Sequence, residues 1–241
     1  MSLVGKTAVV TGGLGGIGAA CVEGLAEHGA TVVACDVHTD GPAYPDRTVT
    51  YAQLDVRDPG AWQRVFAEEP IASSGVDILV NAAGIGGAGA LHEVTLEEWN
   101  DVIAVNETGV MLGTQRVLES AARHGRGASI VNISSIWGTT ATAGFAAYHA
   151  SKGSVALITR NTAVTYAQAG VRANAVHPGL IDTPMSRGNS EEFNEAIIAR
   201  TPLARRGTPA EVAACVLFLA GDGASFVTGA SLYVDGGFSA L

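Results

Sequence analysis

Short β-branched runs separated by long helical stretches leave this chain little choice of fold. The runs are Thr7–Val10, Thr31–Cys35, Thr48–Leu54, Ile78–Val80, Ser129–Ile133, Arg172–Val176 and Ser231–Val234. Helical periods cover residues 16–27, 60–69, 96–123, 148–168 and 209–220. Strands joined by crossovers of that length run parallel, because each crossover carries the chain back to the same end of the sheet. Helices then cover both faces, which suits a chain that is 47% apolar and only 15% charged. At about 150 residues per domain a chain of 241 allows one domain or two, but no linker or repeat interrupts the alternation. The expected architecture is α/β, a doubly wound parallel sheet in a single domain over 1–241. One segment breaks the rhythm: His38–Pro45 carries two prolines and a glycine, which disfavour a full helix and predict a surface loop.

The first chemical signal follows the first strand, at Thr11-Gly12-Gly13-Leu14-Gly15-Gly16-Ile17-Gly18. Glycines let the backbone turn tightly and approach a pyrophosphate, and the helix that follows offers free N–H groups and a positive dipole end. Two registers fit: Gly13, Gly15 and Gly18 match GxGxxG, while Gly12, Gly16 and Gly18 match GxxxGxG. A strand before, a helix after and Asp36 at the end of the second strand make this a Rossmann-type dinucleotide unit. The Asp36 carboxylate can accept hydrogen bonds from both adenosine-ribose hydroxyls and would repel a 2′-phosphate. No Lys or Arg lies between Thr11 and Asp36. NAD, rather than NADP, is the expected cofactor.

The second signal is Tyr148-His149-Ala150-Ser151-Lys152, at the start of a long helix. Residues four apart share a helical face. An ammonium close to a phenol favours the phenolate, so the pair can run acid–base chemistry nearer neutrality. Ser135 precedes Tyr148 by 13 residues and can polarise a carbonyl. Trp137 reads equally as a wall of the substrate pocket or as ordinary packing, and His177 reads first as a structural residue, with an approach to the nicotinamide end as its alternative.

The formal charge of −9 and the lack of a Lys/Arg run exclude nucleic acid as a partner. Cys21, Cys35 and Cys215 form no CxxC, and the six histidines show no metal spacing, so no metal site is expected. Reduced buried thiols fit a cytoplasmic protein. No leader is expected ahead of the first strand, and no membrane span. Asn106-Glu107-Thr108 and Asn132-Ile133-Ser134 match the glycosylation triplet by chance.

Taken in order, these motifs resemble the short-chain dehydrogenase/reductase family along the whole chain. They are Thr11-Gly12-(x)3-Gly16-Ile17-Gly18, Asp55-Val56, Asn81-Ala82-Ala83-Gly84, Asn106, Asn132-Ile133-Ser134-Ser135, Tyr148-(x)3-Lys152, Pro178-Gly179 with Thr183, and a C-terminal Thr228-Gly229-Ala230-(x)4-Asp235-Gly236-Gly237. The resemblance favours the register Gly12, Gly16, Gly18. It implies Tyr148 as general acid/base, Lys152 as holder of the nicotinamide ribose that also lowers the tyrosine pKa, and Ser135 as donor to the carbonyl or alkoxide. Asn106 would bind a water that relays protons to Lys152. Asp55 and Val56 would contact adenine, Asn81 with its neighbours the adenine-side ribose, and Ile181 and Thr183 the carboxamide end. Two features depart from the family pattern: the loop at 38–47 in place of a helix, and Ala where many members carry a second Asn after Asn81.

The implied activity is reversible hydride transfer between NAD(H) and a secondary alcohol or ketone. The pattern is closest to NAD-dependent hydroxysteroid and cyclic-alcohol dehydrogenases. A 3-oxoacyl carrier-protein reductase is the alternative within the family, and Asp36 counts against it. A non-catalytic NAD-binding sensor or scaffold is the alternative from another class, opposed by Ser135, Tyr148 and Lys152 together; a serine hydrolase lacks its GxSxG elbow. A short, mobile substrate lid is expected near 185–200, implying a small or flat small-molecule substrate. The helices at 96–123 and 148–168 are apolar on more than one face. The resemblance implies that they pair in a homotetramer, with Phe238 and Leu241 in an interface.

Overall fold

A computed structural model of the protein describes residues 2–41 and 48–240. Its strands are β1 (Thr7–Thr11), β2 (Thr31–Asp36), β3 (Val49–Gln53), β4 (Ile78–Asn81), β5 (Ser129–Ile133), β6 (Arg172–Pro178) and β7 (Ser231–Val234). They form one seven-stranded sheet in the order β3-β2-β1-β4-β5-β6-β7, and every neighbouring pair is parallel. The helices are α1 (Gly16–Glu27), α2 (Pro59–Ala67), α3 (Ile71–Ser74), α4 (Leu96–Ile103), α5 (Gly109–His124), α6 (Ala146–Tyr166), α7 (Pro184–Arg187), α8 (Glu191–Arg200) and α9 (Pro209–Ala220).

Side chains alternate across each strand, and the two cores follow from that alternation. Ala8, Val10, Val32 and Val80 turn to the face covered by α1 and α9, where they meet Cys21, Leu25, Val212 and Val216. Val9, Val33, Leu79 and Ile130 turn to the opposite face, against Trp62, Leu112, Val117 and Ala163. Both faces are dry, which is why the strands read as continuous apolar runs. Cys21 and Cys35 lie in these cores, and burial pushes each thiol up to about 12. They are inert packing groups.

The sequence boundaries shift in informative places. The single helix expected over 96–123 is α4 and α5 joined by a π turn at Ala104–Thr108. A π turn inserts one residue and rotates the face presented to the interior, a distortion frequent at functional sites; here it buries Asn106 completely. The helix expected over 148–168 begins at Ala146, so Tyr148 and Lys152 sit in its first turns. The helix placed at 60–69 stops at Ala67, and α3 follows Pro70. The segment expected to form a lid folds as the two short helices α7 and α8, capped by Thr183 and Ser190. Residues 37–41 carry no helix, in line with the expected surface loop, and residues 42–47 of that loop lie outside the described residues.

The strand order reverses between β1 and β4. Connections leaving β1 and β4 run to opposite sides of the sheet and part at that point, which opens a crevice outside the carboxyl ends of the strands. The glycine-rich turn, Asp36, Asp55, Ser135, Tyr148 and Lys152 are all delivered to that edge.

Candidate active site

The crevice is a cavity of about 610 Å³ running from the ends of β2 and β3, past β1 and β4, to the ends of β5 and β6. Its middle is built by the loop after β1. Gly12 (φ 65°) and Gly16 (φ 47°) take left-handed conformations. A Cβ on Gly18 would lie 2.0 Å from the Gly12 carbonyl oxygen, so that helix turn must pass bare against the loop. Gly12, Gly16 and Gly18 are the register the family resemblance favours. Helices α2, α4, α7, α8 and α9 start on side-chain caps from Asp58, Thr95, Thr183, Ser190 and Thr208. Helix α1 starts on Gly15 with no side-chain cap. Its first N–H groups face the cavity, and these residues fit a pyrophosphate without any Cβ in the way.

At one end Asp36 is fixed by two backbone donors, Leu14 N at 3.2 Å and Val37 N at 2.8 Å. Its remaining lone pairs face the cavity. Asp55, Val56 and Arg57 line the same end. Arg57 was not singled out in the sequence. It grips Asp55 with both arms, Nε–Oδ1 3.0 Å and Nη2–Oδ2 2.8 Å, and holds that carboxyl below its usual range. The fold also brings His38 Nε2 to 3.8 Å from Asp36. Asn81 does not reach the cavity with its side chain: it is buried and donates to Asn132 Oδ1 at 2.8 Å, tying β4 to β5. Its neighbours Ala82, Ala83 and Gly84 do line the wall.

Thr11 fixes that wall. Its hydroxyl oxygen accepts from Ala82 N and Ala83 N, each at 3.1 Å. This bond takes the place of the turn-fixing side chain that Ala82 and Ala83 cannot supply. Replacing Thr11 by Val keeps the shape and strands two N–H groups, at a cost of about 1–3 kcal/mol each when buried. The expected result is a lowered thermal midpoint with a matching loss of dinucleotide affinity. An unchanged melting curve would remove this role.

Ser135, Tyr148 and Lys152 meet at the other end. Ser135 follows β5 in extended backbone, and its oxygen accepts from Trp137 N at 3.1 Å. Tyr148 faces Ser135, whose hydroxyl opposes the rise of the phenol's pKa. Lys152 lies 5.7 Å from the centre of the Tyr148 ring, and its Nζ donates to the Ile133 carbonyl at 2.9 Å. Burial opposes the expected lowering of the phenol by Lys152. Burial pushes Tyr148 up, against the pull of the Ser135 hydroxyl, and burial brings Lys152 down to about 8. Ile181 and Thr183 line the cavity beside α7.

Asn106 is brought to the same place in a different posture from the one expected. Its side chain accepts from Ile85 N at 2.8 Å and donates to Ile85 O at 2.9 Å and Ser151 Oγ at 3.1 Å. It pins the loop after β4 against α6. His177 is wholly buried and does not line the cavity. Its Nδ1 donates to the Ser135 carbonyl at 2.8 Å and its ring stacks on Tyr233, so it supports Ser135 from behind. Phe145 and Phe193 also wall this end, and nothing in their spacing marked them in the sequence. Phe238 is buried under Trp137 with rings 5.5 Å apart, rather than presented to an interface. Leu241 lies outside the described residues.

The chain as a whole is similar to known proteins. The family model described as enoyl-(acyl carrier protein) reductase matches residues 12–239. A cis-4-hydroxycyclohexanecarboxylate dehydrogenase of Sinomonas cyclohexanicum is 42% identical over 98% of this chain and 97% of its own. The chain belongs to the short-chain dehydrogenase/reductase family. Another relative in this family is a 3-alpha-(or 20-beta)-hydroxysteroid dehydrogenase of Mycobacterium bovis, 39% identical over 98% of this chain and 90% of that one. Among solved structures, one described as a putative gluconate dehydrogenase from Agrobacterium tumefaciens superposes with a TM-score of 0.89 at 32% identity, covering 100% of this chain and 98% of its own. Dehydrogenases of this family work with a nicotinamide cofactor, so the chain is an oxidoreductase acting on an alcohol or ketone.

Proposed function

We propose that the protein is an NAD-dependent dehydrogenase that oxidises a secondary alcohol to its ketone, reversibly, with Tyr148 as the general acid/base. The observation that carries this is the meeting of Ser135, Tyr148 and Lys152 at one end of a crevice whose other end is capped by Asp36. Bound NAD supplies the hydride acceptor. The uncapped turn of α1, with Gly12, Gly16, Ile17 and Gly18, holds the pyrophosphate, Asp36 the adenosine ribose, and Asp55 and Val56 the adenine. Lys152 holds the nicotinamide ribose, and Ile181 and Thr183 border the carboxamide. In oxidation the Tyr148 oxygen takes the hydroxyl proton of the alcohol. Ser135 donates to the same oxygen as charge develops on it, and His177 keeps that serine in place. Lys152 favours the phenolate by its charge. The proton then passes through Lys152 towards a water held near Asn106, whose side chain shapes the loop rather than reaching for the lysine.

Cofactor choice follows from Asp36. Catalytic efficiency with NAD is expected to exceed that with NADP at least about tenfold, since setting a phosphate beside this carboxylate costs more than about 1.4 kcal/mol. The guanidinium on the same wall, Arg57, is already engaged by Asp55 and does not offset it. Steady-state kinetics with both cofactors decides it, and equal efficiencies would remove the NAD assignment.

The assembly we propose is a homotetramer. On α6 Val155 is fully buried, whereas Leu157 and Val164 are 65% and 83% exposed, and Met111 of α5 is also exposed. Two-faced helices of this kind are suited to pairing across a two-fold axis. Light scattering at micromolar concentration should report four chains, and a monomer would refute it. Among the described residues no helix is long and apolar enough to cross a membrane. The free thiols of Cys21, Cys35 and Cys215 suit a reducing, cytoplasmic setting.

A further inference from the structure

We infer that the substrate is an uncharged cyclic secondary alcohol, selected against anionic analogues by the apolar end of the crevice, with the Phe145–Phe193 pair as its specificity-determining element. This rests on the dehydrogenase function proposed above and narrows it.

The charges of the crevice are unevenly placed. Asp36, Asp55, Arg57 and Asp101 all lie towards β2 and β3, where Arg57 reaches both Asp55 and Asp101. Beyond Tyr148 the wall is Trp137, Phe145, Leu180, Met185, Phe193 and Ile197. Among the described residues the one cation at this end is Lys152, and its Nζ already donates to the Ile133 carbonyl. Other basic groups near in the chain are engaged elsewhere. Arg187 and Arg206 pair with Asp182, Arg205 pairs with Glu211, and Arg200 lies over the Phe238 ring. His149 has both ring nitrogens occupied, Nδ1 with the Phe145 carbonyl and Nε2 with Thr142 N. Neutral donors are scarce too: Ser186 donates to the Ile181 carbonyl and Asn189 to Asn194. A carboxylate, sulfonate or phosphate on the substrate would leave water for a wall that offers it no cation beyond Lys152.

The apolar end is also rigidly held. Phe145 adopts a left-handed backbone (φ 60°), which is strained for a residue with a Cβ. Two bonds to its carbonyl, from His149 N at 2.9 Å and His149 Nδ1 at 2.7 Å, keep it there. Its ring meets Phe193 of α8 at 5.4 Å, so the lid helix and the turn before Tyr148 form one aromatic wall. A flat or puckered ring packs on such a wall, and a flexible charged tail gains nothing from it.

The decisive comparison holds the ring and the alcohol fixed and changes only the charge. Methyl cis-4-hydroxycyclohexanecarboxylate and its free acid are assayed with saturating NAD at neutral pH. The ester is expected to show a kcat/KM about 100-fold or more above that of the acid, chiefly through KM. The matching ketones, the 4-oxo ester and the 4-oxo acid, are tested for thermal stabilisation of the enzyme–NADH complex, which needs no turnover. Phe193→Arg places a guanidinium on the apolar wall and is expected to narrow the ester-to-acid ratio at least about tenfold by improving the acid. An acid used or bound as well as its ester overturns this inference and leaves the dehydrogenase assignment standing. Preferred binding of the keto ester with no turnover of any alcohol supports the charge selection and overturns the dehydrogenase assignment. Failure of both esters to bind or react overturns the inference. If Phe193→Arg does not fold, the wild-type ratio decides alone.

Discussion

Replacing Tyr148 by Phe is expected to lower alcohol turnover by a factor on the order of 10² or more while NAD affinity stays within about threefold. The substitution keeps the ring that packs at the start of α6 and removes the hydroxyl that faces Ser135. Ser135 cannot take over, because an unaided hydroxyl is far too weak a base. The pH dependence identifies the group further. Burial brings Lys152 down to about 8 and lifts Tyr148 above its ordinary value, so the pair is expected to lose its first proton near pH 8. The two states that result, phenolate beside ammonium and phenol beside amine, differ only in where the shared proton sits. Oxidation requires the first of them, and the positive charge of an oxidised nicotinamide favours it. Alcohol oxidation should therefore rise with pH along one ionisation at or below about 8. In the Phe variant that limb disappears. A variant that keeps most of its turnover with NAD bound normally would show that Tyr148 is not the acid/base.

Lys152→Met should cost turnover by at least about 10² as well, but with weaker cofactor binding and a more stable fold. Lys152 is 5% exposed, and its ammonium is the charge that favours the phenolate. Met matches the unbranched stem and brings no charge into the interior. The direction of the stability change follows from linkage. The folded pKa of about 8 lies below the ordinary 10.5. Between those values the unfolded chain binds more protons than the folded one, so wild-type stability rises with pH across that window. Below pH 8 the fold carries the full cost of a charged buried lysine. The Met variant is freed of that cost, so its melting temperature should exceed the wild type's at neutral pH and the gap should close as pH rises towards 10.5. Calorimetry on both proteins across that range, beside NAD titrations, measures the two effects separately. A Met variant that is less stable at every pH would assign the lysine a packing role instead.

Much of the molecule was legible in the chain because its signals are local. Alternating apolar runs and helical periods determine a parallel sheet whatever the details of packing. A glycine whose neighbour's carbonyl leaves no room for a Cβ, as at Gly18, is legible as part of a motif because no other residue can stand there. Tyr148 and Lys152 declare themselves by a spacing that one helix turn converts into proximity. What spacing could not convey was the environment of each group. Asp36 reads as a lone acid, yet the fold brings His38 beside it and Arg57 to the same wall. The resemblance implies a ribose contact for Asn81 and a relay water for Asn106, but the Asn81 side chain is used inside the sheet and that of Asn106 in pinning a loop.

The sequence by itself determined the order of strands and helices, the glycine-rich turn after β1 and the serine, tyrosine and lysine at the carboxyl edge of the sheet, because each depends on residues near one another in the chain or on one fixed topology. Only the tertiary structure decided the ionisation of the Tyr148–Lys152 pair, the anchoring of Ser135 by His177 and the uncharged wall of Phe145 and Phe193. Those depend on desolvation and on contacts between residues such as Phe145 and Phe193 or Ser135 and His177, which are distant in the chain and meet only once both faces of the sheet are packed.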